Sequence, residues 1–222
     1  MLSIVVPVLN EAAGIEAALA ALAPLRALGH ELIVVDGGSS DGTAALAAGR
    51  ADRLLVVGRG RARQMNAGAA VARGDALLFL HADTRLPEAA AEAIRGALHG
   101  AAAWGRFDVR IAGRSPLFPL IATLMNWRSR VTGIATGDQA IFVRRAAFDA
   151  VGGFPDQPLM EDIELSRRLR RVGRPACLRL RVVTSGRRWE RCGVWRTTWL
   201  MWRLRLLYWL GTPAERLARS YR

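Results

Sequence analysis

Four short apolar runs in the first hundred residues are separated by helical patterns, and that alternation leaves few folds open to the chain. Residues 3–8 read as a buried strand, followed by a helix that places Ile15, Leu19 and Leu22 at i, i+4 and i+7. Residues 31–35 form a second strand that ends on Asp36, and 54–57 a third. A fourth strand, 76–80, runs into His81, Ala82 and Asp83. Pro87 then opens another helix, since proline is tolerated at the first helical position. Such alternation predicts parallel β-α units. Polar residues gather just past the strand ends, at Asn10-Glu11, Asp36 and His81 to Asp83. Open parallel sheets bind ligands along that edge.

Beyond residue 100 the pattern loosens. Residues 104–111 and 139–143 suit strands, 117–125 an apolar helix or loop, and 161–172 a helix stopped by Gly173 and Pro175. The tail over 194–210 is helical in pattern and carries Trp195, Trp199, Trp202 and Trp209. With no internal repeat or low-complexity linker, the reading is one domain over 1–190 with a helical extension over 191–222.

A chain of 222 residues can bury one sizeable core. No window reaches the roughly eighteen apolar residues of a spanning helix; the longest candidate, 115–127, contains Pro116 and Pro119. No basic segment precedes the apolar start, and Glu11 follows at once, so a cytosolic chain is expected. All 32 basic residues are arginine, against 19 acids, for a net charge of +13. The absence of lysine excludes a P-loop lysine, a Schiff base and a lysine general base. Guanidinium groups suit phosphate and carboxylate partners, so nucleic acid, anionic membrane and a nucleotide diphosphate all fit. Cys177 and Cys192 lack histidines at ligand spacing and suggest neither zinc nor a disulfide.

Four segments carry candidate chemistry. In residues 36–43, Asp36 and Asp41 flank paired glycines and serines, including Gly37 and Ser39. This is more than a capping turn needs, and it suits a carboxylate accepting from a base N–H beside a backbone that a nucleotide approaches closely. In residues 60–68, arginines near a helix start oppose the helix dipole, which an anionic ligand would relieve. The other reading of that segment is a solvated basic face. Asp83, after a strand, is either a turn former or a carboxylate for a divalent metal on a diphosphate leaving group. In residues 161–164, the acids suit a helix N-terminus, yet Asp162 falls beside the stripe of Leu165, Leu169 and Val172, whereas Glu164 points away. An aspartate directed inward needs a partner or a task, and general base is the task on offer.

Taken in order, these segments resemble the family-2 glycosyltransferases of the GT-A fold. The resemblance runs over residues 3–189 and rests on Pro7 to Glu11, the segment 36–43, the segment 60–68 leading to Gly74-Asp75, His81 to Asp83, Gly137-Asp138 and Glu161-Asp162. It implies an α/β fold with a mostly parallel central sheet flanked by helices. It implies that Pro7, Val8, Asn10, Glu11, Asp36, Gly37, Ser39 and Asp41 line the nucleoside pocket, with Arg63, Asn66, Gly68, His81 and Ala82 also on the donor side. Asp83 matches the last acid of the Asp-x-Asp motif that binds Mg or Mn, while His81 replaces its first acid. Asp162, beside Glu161, matches the base that deprotonates the acceptor for inverting displacement. Gly137, Asp138 and Trp189 fall on the acceptor side. Arg188-Trp189 resembles the end of the Gln-x-x-Arg-Trp motif of processive synthases, but Ser185 replaces the glutamine, so polymer synthesis does not follow. Arg187 or Arg188 suits a diphosphate; a surface arginine pair beside a core tryptophan is the other reading.

Within the family the chain looks most similar to a small bacterial subgroup associated with radical-SAM and selenodomain proteins and linked to arsenosugar biosynthesis. The implied partners are a UDP- or GDP-linked sugar and an acceptor that the sequence does not identify; nucleic acid is not expected. The Trp- and Arg-rich tail suits peripheral contact with a membrane surface or a homodimer. Two alternatives stand beside this reading. A sugar nucleotidyltransferase shares the strand-end nucleotide site but calls for a Gly-rich loop with lysine. A basic membrane- or nucleic-acid-binding module would need the acids only for structure.

Overall fold

The computed structural model describes residues 1–221. The elements run β1 (Leu2–Val8), α1 (Ile15–Ala27), β2 (Glu31–Asp36), α2 (Thr43–Ala47), β3 (Arg53–Val56), α3 (Arg61–Val71), β4 (Ala76–Phe79), β5 (Thr84–Arg85) and α4 (Ala90–His99). They continue with β6 (Trp104–Ala112), α5 (Phe118–Thr132), a 3-10 turn (Gly137–Gln139), β7 (Ile141–Arg144), α6 (Arg145–Ala150), α7 (Glu161–Leu169), β8 (Ala176–Ser185), α8 (Arg187–Cys192), α9 (Val194–Trp209) and α10 (Ala214–Ser220).

Among the described residues, eight strands form one sheet in the order β3-β2-β1-β4-β7-β6-β8-β5. β1, β2, β3 and β4 are mutually parallel, so their C-terminal ends share an edge. β7 runs antiparallel to β4 and β6, and β8 returns parallel to β6. The fold is the expected α/β arrangement of a mostly parallel sheet flanked by helices.

Both faces of the sheet are covered, which explains why β1 and β2 read as unbroken apolar runs. Ile4, Val6, Val8, Leu32 and Val34 pack toward α1, α4 and α5. Val5, Ile33 and Val35 point the other way, toward α3, α6 and α7. Gly68 lets α3 lie on that face, because a Cβ there would collide with the side chain of Val5. A third cluster joins Met160 to Leu204 and Leu217, docking α9 and α10 on the segment that leads into α7. The fully buried Arg106 pairs with Asp108 and donates to the Asn126 carbonyl at 3.1 Å, which ties α5 to the sheet.

Several elements depart from expectation. β8 was not anticipated: its middle carries Arg179 and Arg181, both exposed, which break the apolar run. α5 extends to Thr132, with Pro119 accommodated in its first turn. α7 stops at Leu169, leaving Val172 exposed rather than on the buried stripe. Glu164, expected to be solvated, is half-buried between Arg167 and Arg168. Among the described residues no helix is long and apolar enough to cross a membrane.

Candidate functional site

The C-terminal ends of β1 and β4 open into a cleft of about 330 Å³, within the size range of small-molecule sites. Its walls are Pro7 near the end of β1 and Glu11 after it, His81, Ala82 and Asp83 after β4, the Gly137-Asp138 turn, and Glu161-Asp162 at the start of α7. α5, α8 and α9 close the remaining side. Parallel pairing of β1 with β4 thus brings together residues some seventy positions apart in the sequence.

Asp162 is held by the backbone. One carboxylate oxygen accepts from the Gly137 amide at 2.8 Å and the other from the Ile163 amide at 2.7 Å. No cation pairs with it among the described residues, and it faces the cleft that Asp83 also lines. Glu161 is the more deeply buried acid, 4% exposed, with Arg61 Nη1 at 3.5 Å. Burial and the neighbouring Asp162 push its carboxyl above the usual range, against the pull of Arg61. Just before it, Met160 adopts φ 65°, a left-handed conformation rare for a side-chain-bearing residue. Asn10 (φ 54°), beside Glu11, does the same. Strain of this kind concentrates at functional sites.

Asp83 occupies the short turn between β4 and β5. Arg187 Nη2 stands 3.7 Å from Asp83 Oδ2 and 3.4 Å from Glu11 Oε2, bridging two carboxylates at the rim. Thr84 Oγ1 lies 3.1 Å from Thr184 Oγ1, which couples the Asp83 turn to the strand leading into Arg187. His81 turns away from Asp83. Its Nδ1 is 3.5 Å from Asp138 Oδ1, and its Nε2 is buried without a partner against Gly137. Enclosure in the cleft works against the charge on Asp138, but His81, then Arg61 and Arg205, hold its carboxyl below the ordinary range.

Beside the cleft, the loop after β2 packs against the loop after β1. Asp36 is buried; one oxygen accepts from the Gly38 and Ser39 amides at 2.7 and 2.6 Å, and the other has no partner. The Asn10 amide donates to Ser39 Oγ, and Asn10 Oδ1 accepts from the Ser40 amide, both at 2.9 Å. Asp41 accepts from the Thr43 amide and hydroxyl and from the Ala12 amide, so it shapes the turn. Val8 and Gly37 join through a backbone hydrogen bond of 2.9 Å.

Of the residues expected on the donor side, Pro7, Glu11, His81, Ala82 and Arg188 line the cleft, Val8, Asn10, Asp36, Gly37, Ser39, Asp41 and Arg187 flank it, and Arg63, Asn66 and Gly68 make other contacts. Arg63 makes a surface ion pair with Asp156 at 2.9 Å. Asn66 exchanges hydrogen bonds with the Phe154 backbone at 2.8 and 3.0 Å. Gly68 serves the packing of α3. The segment 60–68 bears on the cleft through Arg61 and Gln64 instead. The Gln64 amide group donates to the Val8 and Val35 carbonyls at 2.7 and 2.8 Å and so locks the ends of β1 and β2.

On the opposite wall, Trp189 lines the cleft, packs edge-on against Phe118 with ring centroids 6.2 Å apart, and leaves Nε1 without a partner. Arg188 lies over the Tyr221 ring, 3.7 Å from its centroid, and donates to the Tyr221 carbonyl at 3.1 Å. Tyr221, Trp202 and Arg205 also line the cleft. Sequence reasoning missed these three because their approach depends on α9 and α10 folding back. The helical spacing of Trp195, Trp199, Trp202 and Trp209, at intervals of four, three and seven, is the one signal the sequence carries.

Comparison with known proteins gives a consistent result. The family model described as "Glycosyl transferase family 2" matches residues 3–151. Proteins of Mycobacterium bovis and Mycobacterium tuberculosis named PGL/p-HBAD biosynthesis glycosyltransferase are 40% identical over 96 residues, 40% of this chain and 38% of theirs. The chain therefore spans well under half the length of these relatives. Among solved structures, S. aureus TarS residues 1–349 superpose with a TM-score of 0.67 at 16% identity, covering 83% of this chain and 60% of that one. A Pyrobaculum calidifontis mannosyltransferase in complex with GDP-Man and Mn²⁺ gives 0.63 at 21% identity, covering 82% and 56%. The M. tuberculosis glucosyl-3-phosphoglycerate synthase in complex with Mn²⁺, UDP and glucosyl-3-phosphoglycerate gives 0.59 at 23% identity, covering 83% and 70%.

Proposed function

Because the chain belongs to glycosyl transferase family 2, we propose that it transfers a sugar from a UDP- or GDP-linked donor to an acceptor hydroxyl with inversion, Asp162 serving as base. The observation that carries this reading is one cleft lined by both Asp83 and Asp162, with Asp162 fixed by two backbone amides and free of any cation among the described residues. Residues 1–190 form the catalytic domain in this reading and 191–222 an extension that completes the acceptor wall.

The nucleoside lies against Pro7, Asn10 and the loop after β2. The partnerless oxygen of Asp36 accepts from the base, a role consistent with its burial. The diphosphate lies toward Asp83 and Arg187. The residues present fit a divalent cation of the Mg or Mn type. Asp83 offers an accessible carboxylate in the cleft, and no cluster of three ligating side chains occurs among the described residues. Such ions are commonly held by one or two carboxylates plus substrate phosphate oxygens. When bound, the cation neutralises charge on the departing diphosphate.

On the other side, the acceptor hydroxyl approaches Asp162, which takes its proton as oxygen attacks the anomeric carbon and the bond to the diphosphate breaks. The Gly137 and Ile163 amides keep the carboxylate aimed for that step. His81 positions Asp138 and the Gly137 turn rather than contacting metal. Trp189 forms an apolar platform for the acceptor, and Arg188 holds Tyr221 over the cleft. Membership of the radical-SAM-associated subgroup, a cytoplasmic location and contact of the tail with a membrane surface belong to this same reading. The competing account has the tail pair two copies of the chain instead.

Thermal melts with UDP and GDP, with and without Mn²⁺, test it. A metal-dependent rise with one nucleotide, absent in Asp83→Asn, is expected. No shift with either nucleotide defeats the proposal.

A further inference from the structure

Two arginines at the edge of the main cleft form no salt bridge among the described residues. Arg128 on α5 and Arg205 on α9 line a second, more open cleft between those helices, together with Trp199, Trp202, Leu206 and Arg203, the last turned over the Trp199 ring 5.6 Å from its centroid. Trp202 and Arg205 also line the main cleft, so the two spaces share a wall. Arg128 Nε and Nη2 are buried with no hydrogen-bond partner, although a guanidinium carries five donors. Leaving such a group unpaired is costly, and native structures rarely do so without a reason. Burial, then the charges of Arg205 and Arg106, bring Arg128 down to about 9, while Asp162 acts in the other direction. Burial lowers Arg205 as well, and Asp162 again opposes it. Both arginines are therefore within electrostatic reach of Asp162.

We propose that the Arg128–Arg205 cleft is an anion subsite for the acceptor, holding a phosphoryl group while the acceptor hydroxyl faces Asp162. This rests on the glycosyl-transfer reading above and names its acceptor class. Two guanidiniums match the charge and the several oxygens of a phosphate better than those of a single carboxylate. The phosphoryl group belongs either to a soluble phosphate ester or to a lipid headgroup. The rim bears on that choice. Leu120, Leu124, Trp127 and Val131 form one exposed stripe at helical spacing along α5. Trp195, Trp199, Trp202, Leu206 and Trp209 form another along α9. Neither helix contains an acid. Exposed tryptophan beside arginine suits an anionic bilayer surface. Self-pairing of this face would set arginine against arginine.

The test compares wild type with Arg128→Gln, Arg205→Gln and the exposed-loop control Arg174→Gln. Melts are recorded without phosphate, then with inorganic phosphate or glycerol 3-phosphate at constant ionic strength. Flotation uses vesicles of phosphatidylglycerol and phosphatidylcholine, against phosphatidylcholine alone. In anion-free buffer the first two variants are expected to melt higher than wild type, because an unpaired charge is gone, and to lose the phosphate-induced rise. A purely structural arginine gives the opposite sign. Flotation with phosphatidylglycerol that weakens in Arg128→Gln assigns the headgroup as the source. A phosphate response without differential flotation assigns a soluble ester. Variants that melt lower, or that respond to phosphate as wild type does, overturn the subsite. Mn²⁺-dependent nucleotide binding, measured in parallel, is expected unchanged in Arg128→Gln, so failure of the donor reading registers separately.

Discussion

The Gly137 amide donates to the Asp162 carboxylate at 2.8 Å, joining the turn before β7 to the first turn of α7. The hydrogen bond fixes which way the carboxylate faces. Asp162→Asn keeps the shape but removes the basicity. The turnover number is expected to fall by about 10²- to 10⁴-fold, the usual contribution of a general base. Nucleotide affinity and the circular dichroism spectrum should be unchanged. Initial rates at saturating donor, alongside calorimetry, check this.

Gly137 has a second neighbour. A Cβ at this position would collide with the His81 ring, and the ring cannot retreat without losing Asp138. Gly137→Ala is expected to cost about 1–3 kcal/mol through overpacking. It should also lower turnover by shifting the amide that aims Asp162. A denaturant titration paired with kinetics reads both effects, and loss of stability without loss of turnover would separate the turn from the chemistry.

Arg187 lies between Glu11 and Asp83, where a divalent cation and a diphosphate would also bind. The two ligands should feel its removal with opposite sign. In Arg187→Gln, Mn²⁺ affinity without nucleotide is expected to rise, because a competing positive charge has gone. Nucleotide diphosphate affinity should fall roughly tenfold, in line with about 1.5 kcal/mol for a charged hydrogen bond. Paramagnetic relaxation for the metal and calorimetry for the nucleotide supply the two measurements.

Glu161 makes stability depend on pH. Its folded carboxyl holds a proton more tightly than the ordinary value of 4.5, so above that value the native state binds more protons than the unfolded chain. Stability therefore falls as pH rises from about the ordinary value to the raised one. Arg61 stays charged across this window and adds no slope. Glu161→Gln should flatten that part of the curve, and its stability relative to wild type should increase with pH before levelling off. Urea midpoints between pH 4 and 8 measure it.

Gly137, Asp138, Glu161, Asp162 and Trp189, singled out from the sequence, all line the cleft, as do Pro7, Glu11, His81, Ala82 and Asp83, whereas the residues that α9 and the chain beyond it contribute did not stand out. Asp36 and Asp83 stood out because each follows an apolar run, and the strand-end rule places such residues on one edge. Asp162 stood out because helical periodicity set it beside a buried stripe, although Val172, counted in that stripe, is exposed. Arg63 and Asn66 do not line the cleft. Composition shows that a segment is basic and polar, but not whether its groups face a ligand or, as here, Asp156 and the Phe154 backbone. β8 was hidden because Arg179 and Arg181 interrupt its pattern. Arg205, Trp202 and Tyr221 reach the cleft only through tertiary packing on Met160, and no local pattern encodes that contact.

The hydroxyl contact between Thr84 and Thr184 makes one caliper of the Asp83 turn and the start of α8. Side-chain direction alternates along a strand, so sliding β8 by a single position would reverse the orientation of Ser185 and carry Arg187 off the carboxylates it spans. The gap available to a bridging anion is thus gauged by strand register, at a distance from any atom the anion touches. Substitutions that loosen this two-rung ladder would blur donor choice while leaving every wall of the cleft chemically intact.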